Sequence, residues 1–282
     1  MIKMVLCDID GTLKPINRSR VTRRVVDAVH RLHDLGILFV PTTGRSENTI
    51  RGIFYDDELC TQTCILTNGK RVYLNGELVY SHSLDCAALE RTLSLLRKTP
   101  GGALVVYPSE GDNGEDFTGV LCSDEAAEAL SARMSEHVLP CDELPGNDIY
   151  TGVLCLLKTP LDQILEVRDG IAAQVPEFVF ARGDDRFFDI LPQGVSKASG
   201  FELLLERTGI ALDEAVFFGD SENDLAMVNA VPNSVAVANA MPPCAEAARW
   251  HIGDCADDAV ALALEQIADA AERGETPAFM CA

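Results

Sequence analysis

An α/β fold, a parallel-sheet core interrupted by an inserted α+β module, is what this sequence predicts. Two observations carry it. Short apolar runs ending in polar, glycine-containing turns alternate with amphipathic helical stretches at both ends of the chain. That alternation breaks between about residues 82 and 185, where strands cluster without a helix between each pair. Strands separated by helical crossovers must run parallel, because a tight hairpin can only join antiparallel ones.

The first apolar run, 4–7, reads as a buried strand and stops at Asp8-Ile9-Asp10-Gly11-Thr12-Leu13. Unpaired carboxylates are costly to bury, so a strand ending in two of them ends in a site. Strand periodicity carried to its end puts Asp8 and Asp10 on one side and Ile9 on the other. Gly11 permits the sharp turn at the carboxyl edge of the sheet. Residues 21–35 place Val25, Val26, Val29, Leu32 and Leu35 at helical spacing, and Gly36 stops them. The run 37–40 is the next strand, ending in Pro41-Thr42-Thr43-Gly44-Arg45-Ser46, after which a helix opens. A third strand, 64–66, ends in Thr67-Asn68-Gly69, and Asn75-Gly76 marks a hairpin over 71–80.

The middle block is expected to hold helices at 84–97, about 123–137 and 161–174, with strands at 103–107, 152–157, 178–181 and 187–190. Its boundaries fall at about 81 and 186, so that 1–81 and 186–282 form the core and 82–185 the insert, with Pro192-Gln193-Gly194 as a return crossing. The βα rhythm then resumes: helix 196–208, strand 216–218 ending in Gly219-Asp220-Ser221, helix 223–230, strand 234–238, helix 244–249 and helix 258–273.

Over 282 residues, 47% hydrophobic content supplies a real core. A formal charge of −21 repels phosphate backbones and anionic bilayers, so neither nucleic acid nor a membrane surface is an expected partner. No apolar run approaches membrane length and no signal segment is apparent, which leads us to expect a cytoplasmic protein. The ten cysteines are scattered through apolar runs and read as reduced thiols. Cys60 and Cys64 come nearest to a metal pair, but no second cysteine or histidine pair completes a zinc set, and the five histidines lack ligand spacing. Arg182 is a candidate substrate cation on scarcity of basic residues alone, and the acidic run 112–116 reads as a solvated loop.

Four polar clusters remain: Asp8/Asp10, Thr43-Gly44-Arg45, Ser196-Lys197, and Asp220 through Asp224. Taken singly, Lys197 is a solvated lysine, Thr43 a hydroxyl approaching a helix, and Asp220 and Asp224 are acids complementing a helix dipole. Three of the four lie where strands end, and the carboxyl ends of parallel strands share one edge. Together they supply a nucleophilic carboxylate, a second carboxylate, a hydroxyl, a cation and carboxylates for a metal, an inventory suited to phosphoryl transfer.

In their order these clusters closely resemble the haloacid dehalogenase (HAD) superfamily, specifically its Cof-like branch of small-molecule phosphatases with a large α+β cap. Asp8-Ile9-Asp10-Gly11-Thr12 stands as its first motif, Thr43-Gly44-Arg45 as the second, Gly194-Val195-Ser196-Lys197 as the third, and Gly219-Asp220-Ser221-Glu222-Asn223-Asp224 as the fourth. Asn68-Gly69 and Asn239-Ala240 match two further habits of the branch. The resemblance implies a Rossmann-like core, a cap closing over the substrate, and an Mg²⁺-dependent phosphatase acting on a small phosphorylated metabolite, a sugar phosphate first. It implies that Asp8 attacks phosphorus and carries an aspartyl-phosphate, while Asp10 is the acid and base, kept protonatable by negative neighbours. Thr43 and Lys197 would hold the phosphoryl group; Thr12, Gly44, Arg45 and Asn223 would line the substrate. Asp8, Asp220 and the Asp10 carbonyl would bind Mg²⁺, with Asp224 binding it or orienting its water. A phosphomutase of the phosphomannomutase type is the alternative, and a non-catalytic binding module on the same fold a further one.

Overall fold

The structure, a computed structural model, describes residues 1–108, 118–121, 130, 138–140, 143–144, 149–182 and 185–281. The expected helix at about 123–137 and the acidic run 112–116 lie outside these residues, apart from Leu130. The chain divides into two compact units, Met1–Ser81 with Val195–Ala282, and His82–Gly194.

In the first unit β1 (Met4–Cys7), β2 (Leu38–Pro41), β12 (Ala215–Gly219), β13 (Asn233–Ala236) and β14 (Trp250–His251) form a parallel sheet in the order β14-β13-β12-β1-β2. Each parallel neighbour is reached through a crossover, which explains why helices flank both faces. The alternation of β1 shows the two-sided burial directly. Val5 and Cys7 pack with Val25, Val29 and Leu32 of helix α1 (Arg23–Asp34) and with Leu264 and Ile267 of helix Ala259–Arg273. Met4 and Leu6 pack on the opposite side with Phe201, Leu204 and Met227. Leu35, expected on the buried stripe, instead follows the last turn of α1 and is exposed.

β3 (Cys64–Leu66) continues this edge, since Thr42 bridges Ile65 in parallel. It then pairs antiparallel with β4 (Arg71–Leu74), which pairs with β5 (Glu77–Ser81). Asn75 and Gly76 both take positive φ, 52° and 83°, the geometry that a two-residue hairpin turn needs to match strand twist.

The second unit is a sheet in the order β10-β11-β9-β6-β7-β8, from β6 (Gly102–Pro108), β7 (Thr118–Leu121), β8 (Val138–Pro140), β9 (Ile149–Leu156), β10 (Phe178–Arg182) and β11 (Phe187–Pro192). All its pairings are antiparallel except β7 with β8. Leu104 and Val106 face a cluster with Leu89, Leu93 and Leu96 of helix α3 (Cys86–Leu96), while Ala103 and Val105 face Leu130 and Cys155 on the other side. The return boundary lies at Val195, not near 186. Phe187–Asp189 pair with β9 and Phe188–Pro192 pair with β10, so the strand belongs to this unit. Arg182, the candidate substrate cation, pairs with Asp185 at 2.5 Å.

The eight described cysteines are free thiols, six of them buried. Among the described residues no helix is long and apolar enough to cross a membrane.

One backbone contact positions the site more than any other. Gly69 has φ +97°, and a Cβ there would lie 2.0 Å from the carbonyl oxygen of Ser196, so the turn after β3 backs directly onto the residue before Lys197. Gly69→Ala should therefore destabilise the protein by roughly 2 kcal/mol or more in chemical denaturation. Gly36→Ala, also at positive φ but with open space around it, should lose only about 1 kcal/mol. Equal losses would show that the close approach carries no weight.

Candidate active site

Asp8 follows the last residue of β1, and its amide donates to the carbonyl of Phe218 at 2.9 Å, which keeps the β1 and β12 ends level. On the β12 side Gly219 leads to Asp220, and the short turn Glu222–Asp224 brings Asp224 back beneath it. The Asp224 Oδ2 accepts from the amides of Asp220 (3.0 Å) and Ser221 (3.2 Å), so this carboxylate shapes its own loop.

Lys197 is the first residue of helix Lys197–Thr208. Ser196 caps it, accepting from the Ser199 amide while its own amide donates to the Ser199 hydroxyl. The lysine is 1% exposed. Its Nζ donates to Asp8 Oδ1 at 2.5 Å and to Asp224 Oδ1 at 2.7 Å. Burial alone would pull its pKa down, yet Asp224 and Asp8 outweigh that and hold it above the ordinary lysine value. Burial pushes Asp8 up to about 8 against the pull of Lys197, with Asp224 and Asp220 adding to the rise. Asp220 is pushed up to about 6, by burial first; the Thr12 hydroxyl, donating at 2.6 Å, works against it.

The carboxylates of Asp8, Asp220 and Asp224 each offer an oxygen within 4.8 Å of the others, and all three are buried. Two share one ammonium and the third is met by a neutral hydroxyl, so negative charge is in excess where water is scarce. An all-oxygen donor set with that excess is what a hard divalent cation requires. The residues fit such an ion.

Asp10 goes elsewhere. Its carboxylate is gripped by Arg45, with Nε at 2.5 Å and the terminal nitrogen at 3.0 Å, and by Lys14 at 2.6 Å. Burial would raise its pKa, but these two cations hold it below the usual carboxylate range. The negative neighbours expected from the sequence are therefore replaced by cations, and the Asp10 carboxylate is not part of the acidic trio. Lys14, 2% exposed, was not singled out from the sequence. A lysine four residues beyond an aspartate carries no spacing signal of its own; only the return of the chain at the Asp10–Lys14 bridge creates the pair.

The remaining expected residues are placed as follows. Thr43 is 2% exposed and its hydroxyl accepts from the Arg45 amide at 3.2 Å. Thr12, expected to line the substrate, turns its hydroxyl to Asp220 and positions that carboxylate. Asn223 accepts from the Ser221 hydroxyl at 2.6 Å. Gly44 lies against Asn68, whose amide nitrogen would be 3.0 Å from a Cβ at that position. Gly11, at φ +90°, leaves room for Asp220, whose Oδ2 would be 2.6 Å from a Cβ. Asn239 donates to the Gly11 carbonyl at 2.6 Å and accepts from the Cys255 amide, tying the loop after β13 to the Asp8 loop.

Comparison with known proteins places the chain in a family. The family model described as haloacid dehalogenase-like hydrolase matches residues 5–264. The Bacillus subtilis (strain 168) protein YkrA is 27% identical over 272 residues, covering 94% of this chain and 97% of the relative. The HMP-PP phosphatase of Enterobacter sp. (strain 638) is 25% identical over 269 residues, covering 92% and 93%. The solved structure of the HAD subclass IIB sugar phosphatase BT4131 shares the fold with a TM-score of 0.76 at 19% identity, over 94% of this chain and 98% of that one. With Asp8, Lys197, Asp220 and Asp224 from three of the motifs meeting in one buried cluster and a family match spanning nearly the whole length, this chain belongs to the haloacid dehalogenase-like hydrolases, as an enzyme of their phosphatase kind.

Proposed function

We propose that this chain is an Mg²⁺-dependent phosphatase that hydrolyses a small phosphorylated metabolite, a sugar phosphate, through an aspartyl-phosphate on Asp8. The observation that carries the reading is a carboxylate at the end of a central parallel strand, buried, ammonium-paired and beside two further carboxylates. The sugar phosphate class is supported by the fold shared with BT4131 and by the strongly acidic chain, which favours small substrates over polyanions.

A carboxylate oxygen of Asp8 attacks phosphorus in line, a P–O(Asp8) bond forms, and the bond to the leaving oxygen breaks. Lys197 stays charged because Asp8 and Asp224 hold its proton, so it is ready to balance the phosphoryl oxygens when Asp8 gives up its negative charge. The Thr43 hydroxyl, two residues past the end of β2 and accepting from the Arg45 amide, still has its own hydrogen to donate to a phosphoryl oxygen. Asp8 and Asp220 would hold the cation, with Asp224 behind them fixing Lys197 and the loop amides. A divalent ion bound there would neutralise the carboxylates and draw charge from the phosphoryl oxygens. Asp10 protonates the leaving oxygen, then takes a proton from the water that attacks the aspartyl-phosphate and releases inorganic phosphate. With Arg45 and Lys14 in place the Asp10 carboxylate is poised as the base. Its service as the acid requires that grip to loosen while the proton arrives.

Asp8→Asn should lower kcat toward a generic aryl phosphate by at least about a thousandfold while the protein stays folded. Residual turnover near wild type would remove Asp8 as the nucleophile. For the substrate class, a panel of sugar, nucleotide and cofactor phosphates ranked by kcat/KM should put a sugar phosphate first, with stoichiometric phosphate release. Transfer to a second sugar hydroxyl instead would identify a mutase.

Magnesium binding also has a thermodynamic signature. Asp8 and Asp220 have folded pKa values raised above the unfolded one, so without metal their contribution to stability is present at low pH and lost as pH rises toward 8. Mg²⁺ should offset that loss, so its increment in Tm should grow from pH 5 to pH 8 and largely vanish in Asp220→Asn. A pH-independent increment, or one retained in the variant, would place the ion elsewhere.

A further inference from the structure

We propose that His30, Asp57 and Cys60 form a second metal site, for a borderline transition-metal ion of the Zn²⁺ type. The three are remote from the acidic trio in sequence and come from two packed elements, α1 and the short turn Glu58–Cys60 capped by Asp57. An imidazole nitrogen, a carboxylate oxygen and the thiol sulfur lie within 4.8 Å of one another. His30 Nε2 is already 2.8 Å from Asp57 Oδ2. The other Asp57 oxygen, Oδ1, is fixed by the amides of Leu59 (3.1 Å) and Cys60 (3.4 Å), which orients the carboxylate before any ion arrives. Cys60 is fully buried and His30 about half exposed, 49% at its side chain, so the trio has an apolar floor and an open, solvent-facing rim.

The donor set decides the ion. Mg²⁺ takes oxygen almost exclusively, whereas nitrogen, oxygen and thiolate sulfur together suit Zn²⁺, Co²⁺ or Ni²⁺. Ligand atoms around a tetrahedral zinc stand roughly 3–4 Å apart, given bonds of about 2.0–2.3 Å. The His30 and Asp57 atoms, 2.8 Å apart, need to open slightly while the ligand atoms, all within 4.8 Å of one another, settle around the ion, and water fills the fourth corner. On binding, bonds form from the ion to N, O and S; the hydrogen that His30 Nε2 shares with Asp57 is released or exchanged for one on Nδ1, the thiol proton leaves to solvent, and no electron is transferred. The ion would clip α1 to the chain segment that follows α2 (Glu47–Ile53), the helix opened by the Thr43-Gly44-Arg45 turn. Sequence spacing could not find this set, because positions 30, 57 and 60 form no ligand motif and only the βαβ crossover brings them together.

The test is a titration of the whole protein with Co²⁺ in excess Mg²⁺, read as the thiolate-to-cobalt charge-transfer band in the near ultraviolet. That band requires a sulfur ligand, which the carboxylate cluster does not offer, so the result stands or falls independently of the phosphatase reading. One equivalent of Co²⁺ should develop it, and Zn²⁺ should displace it. Cys60→Ser should abolish it, and His30→Gln, on an exposed helix face where folding is not at stake, should weaken Co²⁺ binding by about tenfold or more. No band in the folded wild type, or a band indifferent to His30→Gln, would overturn the site and leave an ordinary capped ion pair.

Discussion

A lysine buried at the start of a helix is the constraint on which the rest of this structure depends. Lys197 sits at the positive end of its helix dipole and is almost wholly removed from water, two placements that each disfavour an ammonium. What offsets them is the pair of carboxylates, Asp8 from the end of β1 and Asp224 from the loop after β12. Removing either partner of such a buried pair leaves an uncompensated charge, a loss on the order of 3–5 kcal/mol. The same three side chains therefore lock two strand ends and one helix together and assemble the reactive centre. Close backbone approaches at Gly11 and Gly69 make the geometry reachable.

Around that centre charge is partitioned rather than pooled. Asp8 and Asp220 are driven toward protonation by burial first, with the Asp224 charge adding to both, while Asp10, two residues from Asp8, is held below the usual carboxylate range by Arg45 and Lys14. Two carboxylates on one short loop thus occupy opposite electrostatic surroundings: the proposed chemistry needs a cation beside Asp8 to keep it ionised for attack, and a loosened Arg45 and Lys14 grip before Asp10 can carry a proton. Thr12 and Asn239 are the braces that keep the halves apart, one fixing Asp220 and the other the carbonyl of Gly11.

Much of this was legible before any coordinates. Strand-end carboxylates, glycine turns and helix-start lysines are local signals, and the parallel sheet follows from crossovers between them, so the parallel-sheet core and the Asp8–Lys197–Asp220–Asp224 convergence could be anticipated, whereas the order of strands in the sheet could not. The hairpin at Asn75-Gly76 was equally readable, since its turn type is encoded in two residues. What escaped depends on contacts without periodic trace. Lys14 and Arg45 meet at Asp10 only through chain return, Thr12 turns inward to a carboxylate more than two hundred residues away, and β11 stays with the second unit because of its strand partners. His30, Asp57 and Cys60 are invisible for the same reason.

The central claim is that Asp8 takes the phosphoryl group covalently. Acid-quenched single turnover with an aryl or sugar phosphate, followed by peptide mass spectrometry, tests it most directly. The account predicts a phosphoryl adduct on the peptide bearing Asp8 that appears and decays no more slowly than turnover. Product formation with no adduct at any quench time, or an adduct on a different side chain, would contradict it.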